Sequence, residues 1–178
     1  MPNSLIIKDK IGSFKNVISV SGDKSLSIRW VLFSSLANGV SSAKNLLLSE
    51  DVLAAIKAIG ILGIKSKISK NRCKIFGKGF KGYNYKKNLT INAENSGTFS
   101  RLILGLLINT KFPIKIIGDK SLSRRDFTRV TNPLSKFGVK FKLTKGKNLP
   151  LTIFGSQKLK SIKYIEKKGS AQCKSSVI

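Results

Sequence analysis

A chain of 178 residues that sets 34 lysines and arginines against 8 aspartates and glutamates, for a formal charge of +26, contains no histidine. That absence excludes Cys/His zinc sites, Ser-His triads and Cys-His dyads, and the two cysteines, Cys73 and Cys173, lie far apart and read as reduced structural residues. An apolar share of 41% suffices for a packed core, the longest apolar run (102–108) is far short of the roughly 20 residues of a bilayer span, and residues 1–12 lack a signal-peptide pattern, so a cytoplasmic protein is expected.

In chain order, residues 17–20 (Val-Ile-Ser-Val) predict a short strand, Gly22 opens a turn, and a helical pattern runs over 25–37. A middle strand is expected at 42–48. An amphipathic helix over 50–62, stopped by Gly63, then leads into a hairpin of 64–68 with 73–76 that turns at Asn71. About 72 residues further on the plan recurs, with Arg101 falling where Arg29 stood. Its parts are a strand at 89–92, a turn at 94–97, an apolar helix through Ile108, a strand at 113–117, a helix over 125–137 stopped by Gly138, and a hairpin of 139–143 with 149–154. A third unit begins at 162–165 with Gly169 as its turn residue and Lys174 in the place of Arg101. The repeated unit is β-α-β-α-β-β, and the third stops at Ile178 inside its first helix, which reads as truncation.

The hexapeptide Gly-Asp-Lys-Ser-Leu-Ser occurs twice, at 22–27 and 118–123, each time after an apolar run and shortly before an arginine. Small residues admit a ligand close to the backbone, a helix start offers free N–H groups, and Lys24, Arg29 and Arg125 add full charges, so phosphate or carboxylate recognition is the chemistry expected. The 28 lysines are scattered and read mainly as solvated surface. The six arginines carry more information, because a planar fork grips an oxyanion at two points. Each candidate also has a structural reading: Ser25 and Ser96 as helix N-caps, Gly97 as a turn former, Arg101 on a solvent face.

In order along the chain stand Ser21-Gly22-Asp23-Lys24-Ser25-Leu26-Ser27-Ile28-Arg29, Asn95-Ser96-Gly97-Thr98 with Arg101, Gly118 to Arg125, Leu149-Pro150-Leu151 and Gly169-Ser170-Ala171-Gln172. This series resembles the 5-enolpyruvylshikimate-3-phosphate synthase family from Val17 onward. Ser21, Ile28 and Asp126 depart from it, standing where the family usually has proline, histidine or asparagine, and proline. The resemblance implies an inside-out α/β barrel-like domain of such units, here about 17–80, 88–157 and an incomplete 160–178, with residues 1–16 (a strand near 5–8) belonging to a second domain. It implies enolpyruvyl transfer from phosphoenolpyruvate to shikimate 3-phosphate without a cofactor or metal, by a monomer that binds neither nucleic acid nor membrane.

Carried over by position, Lys24 would touch both substrates and Ser25 and Arg29 would hold the shikimate moiety. Asn95, Gly97 and Thr98 would line the phosphoenolpyruvate side, with Arg125 clamping its carboxylate or phosphate. Ser170 and Gln172 would bind the 3-phosphate and ring. The acid–base group that activates the hydroxyl would lie in the other half, so the chain alone is expected to be inactive. A UDP-N-acetylglucosamine enolpyruvyl transferase relative is the nearest alternative, but Lys24-Ser25 and a strand-borne Cys73 fit it poorly. A basic RNA-associated module is the other, although the chain carries no aromatic stacking platform for it.

Overall fold

The computed structural model describes residues 6, 8, 10, 12–13, 15, 17–70, 72–166 and 169–178. The first unit comprises α1 (Lys24–Leu36), β1 (Asn38–Lys44), α2 (Glu50–Ile61), β2 (Lys65–Ser69) and β3 (Arg72–Lys78). The second comprises β4 (Leu89–Asn92), α3 (Gly97–Leu106), β5 (Ile114–Ile117), a 3-10 turn (Leu122–Arg124), α4 (Thr128–Ser135), β6 (Lys140–Thr144) and β7 (Asn148–Phe154), and α5 (Ala171–Val177) follows. The strands form one sheet in the order β1-β3-β2 and another in the order β4-β5-β7-β6. All neighbours are antiparallel except the parallel pair β4 and β5.

The second sheet buries one face and turns the other to solvent, while in the first the buried side chains belong to the central strand β3. On β3, Cys73 and Ile75 point inward while Arg72, Lys74 and Phe76 are exposed, the period-2 alternation of a half-buried strand. Leu149, Leu151 and Ile153 of β7 and Ile114 and Ile116 of β5 repeat the pattern. The lysines at 65, 67, 74, 115, 140 and 142 fall on exposed positions, as a solvated surface requires. Helices supply the rest of the core: Ile28, Val31 and Leu32 of α1, Val52, Ala55, Ile56 and Ile59 of α2, and Phe99, Leu102 and Ile103 of α3 follow helical spacing and are buried together. Helix packs on helix, α1 on α2 and α3, and α5 on α3 and α4.

The boundaries differ from the sequence expectation at four places. Residues 17–20 form no strand: among the described residues none pairs with them in a ladder, and Val17, Ile18 and Val20 lie exposed. Residues 162–165 likewise run without regular structure. The middle strand of the first unit begins earlier, at Asn38, because Gly39 (φ 105°) reverses the chain directly after α1 and lets all seven residues pair with β3, while Asn45 (φ 54°) ends it. The helix expected over 125–137 starts only at Thr128, where the Asp126 carboxylate accepts from Thr128 N (2.7 Å) and Oγ1 (2.5 Å), and Arg125 is left extended between the 3-10 turn and α4. The turn residue Asn71 and two of the four residues of the strand expected near 5–8, 5 and 7, lie outside the described residues.

Pro133 lies inside α4 and withholds the N–H that the Arg129 carbonyl would otherwise receive. The Cys173 thiol of α5 donates to that carbonyl instead (3.4 Å), so one of the two free, buried cysteines ties α5 to α4.

Candidate anion-binding site

The repeated hexapeptide encodes an aspartate-capped turn. Asp23 Oδ1 accepts from Leu26 N and Asp119 Oδ1 from Leu122 N, both at 2.7 Å, although a full α-helix follows the first and only a 3-10 turn the second. The cap of α1 is therefore Asp23 and not Ser25, because the residue before the first helical turn is the one whose side chain can reach the free N–H groups. Ser25 sits inside the helix and offers its carbonyl to Arg29. Ser96 and Ser170 do cap helices, accepting from Phe99 N (3.3 Å) and Cys173 N (3.2 Å).

Arg29 and Arg101 occupy the same place in successive units and behave alike. Each folds back to donate Nη1 to the carbonyl four residues earlier, Ser25 O and Gly97 O, at 3.3 Å in both cases. Each then reaches α5. Arg29 Nε and Nη2 donate to Ser175 Oγ (3.3 and 3.2 Å), while Arg101 Nη1 donates to Gln172 Oε1 (3.1 Å). Because a guanidinium only donates, Gln172 must turn its oxygen toward Arg101, and its Nε2 then donates to Thr98 Oγ1 (3.1 Å). Arg125 Nη2 donates to Asn95 Oδ1 (3.2 Å) just before α3. A Cβ on Gly97 would lie 2.7 Å from Arg125 Nη1 and 3.1 Å from Arg101 Nη1, so two guanidinium groups crowd the start of α3 and any side chain there would displace their tips.

These groups surround a cavity of about 320 Å³ lined by Arg101, Arg125, Asp126, Arg129, Ser170, Gln172 and Cys173. Burial lowers the Arg101 pKa from its usual value, and the neighbouring Arg125 and Arg129 charges push the same way. The Phe127 ring face, 5.3 Å from Arg101 Cζ, offsets part of that cost. Asp126, held below the usual carboxylate range by its hydrogen bonds from Thr128, is the one acidic residue in the lining. Three guanidinium groups against one carboxylate suit an incoming anion.

Of the residues singled out from the sequence, Asn95, Gly97, Thr98, Arg125, Ser170 and Gln172 gather here, and Arg29 joins through α5. Lys24 does not line this cavity. Its Nζ lies 3.5 Å from Asp51 Oδ2 at the start of α2. Sequence reasoning names neither Arg129 nor Arg101 as a substrate-binding residue, although Arg101 stands in it as the repeat equivalent of Arg29 and within the family series. Their membership in a set of six arginines was the available signal.

Fold and site together define a class: a repeat α/β domain in which the starts of α3 and α5 and three arginines border one cavity. The model of the family described as EPSP synthase (3-phosphoshikimate 1-carboxyvinyltransferase) matches residues 8–178, and the chain belongs to that family. It is 42% identical over 164 residues to the 3-phosphoshikimate 1-carboxyvinyltransferase of Thermoanaerobacter sp. (strain X514), covering 92% of this chain and 38% of the relative. With the enzyme of the same name from Streptococcus suis (strain 98HAH33) it shares 40% over 173 residues, covering 97% and 40%. Among solved structures, EPSP synthase from Acinetobacter baumannii superposes with a TM-score of 0.84 at 34% identity over 90% of this chain and 36% of that one. The fold is thus the inside-out α/β architecture expected, and the chain spans about two fifths of the length of these curated relatives.

Proposed function

We propose that the arginine cavity is one half of a site in which an enolpyruvyl group passes from phosphoenolpyruvate to the 5-hydroxyl of shikimate 3-phosphate. The new bond joins that oxygen to the carbon that carried the phosphate, the carbon–oxygen bond to phosphate breaks, and the hydroxyl proton leaves with the released inorganic phosphate. The observation that carries this reading is the Arg101–Gln172–Thr98 chain of hydrogen bonds beside the Arg125–Asn95 pair, which holds donors around a cavity rich in positive charge. Gln172 and Ser170 take the shikimate 3-phosphate, with Ser25 and Arg29 behind them. Arg125, Asn95, Gly97 and Thr98 take phosphoenolpyruvate. Lys24 reaches the substrates by exchanging Asp51 for an anion, a change open to a half-exposed side chain. On this reading residues 17–178 form most of one domain and 1–16 belong to another, in a cytoplasmic, monomeric enzyme with no cofactor.

Catalysis needs the facing half to exclude water and supply the acid–base group. The 178-residue chain alone should release no phosphate above background, and turnover by it would overturn the half-site reading. In an enzyme completed by joining a family C-terminal half, Lys24→Met or Arg125→Ala should lower kcat/KM by about one to two orders of magnitude, since each removes charge-assisted bonds worth roughly 1.5–3 kcal/mol. Lys140→Ala and Lys142→Ala should change it less than about threefold at constant ionic strength. Equal losses in all four variants would replace specific sites with generic positive charge.

A further inference from the structure

The first sheet ends in a second concavity, of about 470 Å³, whose lining includes Lys44, Asn45, Ser69, Lys70, Arg72 and the buried Cys73. Its size is that of a small-molecule site. Among the described residues its lining holds no acidic side chain and shares no member with the arginine cavity. Lys44 and Arg72 are direct cross-strand partners at the last rung of the β1–β3 ladder, and Arg72 is paired on its other side by Ser69, whose Oγ donates to Arg72 O (3.3 Å) across the hairpin. Like charges directly opposite one another destabilise a sheet.

The second unit builds the matching rung without charge, although its hairpin keeps a lysine, Lys145, where the first has Lys70. Ser41 pairs with Ile75 as Ile114 pairs with Ile153, so the positions that answer to Lys44 and Arg72 are Ile117 and Pro150. The fold therefore does not require cations there. Asn45, left-handed at φ 54°, donates Nδ2 to Val20 O (3.0 Å) and ties the segment at 20 to the end of β1 beside the cluster.

We propose that this corner is a second anion site, which takes a small phosphate-bearing molecule. The Arg72 fork and the Lys44 and Lys70 ammonium groups supply the charge, and Ser69 and Asn45 supply neutral polar groups. A bound phosphate screens the Lys44–Arg72 repulsion, so occupancy and sheet stability rise together.

The test titrates inorganic pyrophosphate into the 178-residue chain, read by backbone amide NMR and by thermal melting at constant physiological ionic strength. Saturable shifts centred on Lys44, Asn45, Ser69 and Arg72 are expected, with a rise in Tm. Lys44→Ile, which installs the second unit's residue, should raise Tm without pyrophosphate and weaken pyrophosphate binding at this corner by about tenfold or more, as expected for loss of a charge-assisted contact. Arg72→Gln should weaken it comparably and serves if the first variant folds poorly. Arg125→Ala, which disables the arginine cavity, should leave binding at this corner within about twofold. Non-saturating shifts spread over Lys65, Lys115 and Lys140 would overturn the proposal, as would unchanged affinity in the Lys44 and Arg72 variants. Preference of this corner for an oligonucleotide over pyrophosphate would overturn it too.

Discussion

The two units share a plan but differ at their first strand. In the second, β4 lies parallel to β5, its Ile91 and the following Ala93 are fully buried, and Ala93 N and Asp119 N bind Ile117 O and Glu94 O beyond its end. In the first, residues 17–20 occupy the matching place in the sequence with an equally β-prone composition, yet Val17 is 102% and Val20 69% exposed, and the Asn45 side chain donates to Val20 O. Strand propensity expresses fit to a half-buried pleated surface, and where that surface and its ladder are lacking the same residues stay irregular. A second difference lies on the helices. Gly105 of α3 sits against α5, where a Cβ would fall 2.2 Å from Ser176 O, whereas Phe33, its counterpart on α1, is 56% exposed.

The largest expected break between the units comes from truncating equivalent strands. Ile91→Ala should cost about 2–5 kcal/mol in urea unfolding, as for buried isoleucines generally, while Ile18→Ala should stay within about 0.5 kcal/mol. Equal losses would mean that 17–20 is buried in solution. Next comes the helix contact. Gly105→Ala forces α3 and α5 apart and should lower stability by about 1–3 kcal/mol, against a change under about 0.5 kcal/mol for Phe33→Ala. A harmless Gly105→Ala would place α5 elsewhere.

The two hexapeptides sharpen the comparison from the other side, because their caps have the same geometry. Asp23→Ala and Asp119→Ala should each cost about 1 kcal/mol by chemical denaturation, and a large inequality would show that the length of helix after the cap governs its worth.

The smallest effect concerns the connectors. The Tyr83 hydroxyl, hydrogen-bonded with Ser35 Oγ of α1 (2.8 Å), anchors the segment after β3, whereas Gln157 Nε2, donating to Asn109 O and Thr110 O, anchors the segment after β7. Burial pushes the Tyr83 pKa up from 10 to about 12, against the opposing effect of the Ser35 hydrogen bond. A folded-state pKa above the unfolded one favours the protonated form, so this contribution is fully present below pH 10 and is lost as pH rises from 10 to about 12. Tyr83→Phe should flatten the alkaline fall of Tm in that window, while Gln157→Ala should leave its shape unchanged. An alkaline limb identical in wild type and Tyr83→Phe would remove Tyr83 from the first connector's anchor.

The order of helices and hairpins, their repetition, the glycine stops at 63 and 138, and the motifs that mark the family were legible in the amino-acid sequence, because each depends on residues a few positions apart: apolar spacing, a left-handed stop, a turn before a strand. So were three of the seven residues that line the arginine cavity, Arg125, Ser170 and Gln172, and Asn95, Gly97 and Thr98 beside it. Tertiary structure alone decided that 17–20 and 162–165 remain unpaired, that Asp126 delays α4 and frees Arg125 to reach Asn95, and that Arg101 turns the Gln172 amide toward Thr98. It also decided that Lys24 faces Asp51 while Arg129 joins the cavity. Most of these outcomes rest on ladders or side-chain contacts between residues that stand well apart in the chain, and even where the trigger is local, as with Asp126 and Thr128, what it releases is read only where the distant partner stands.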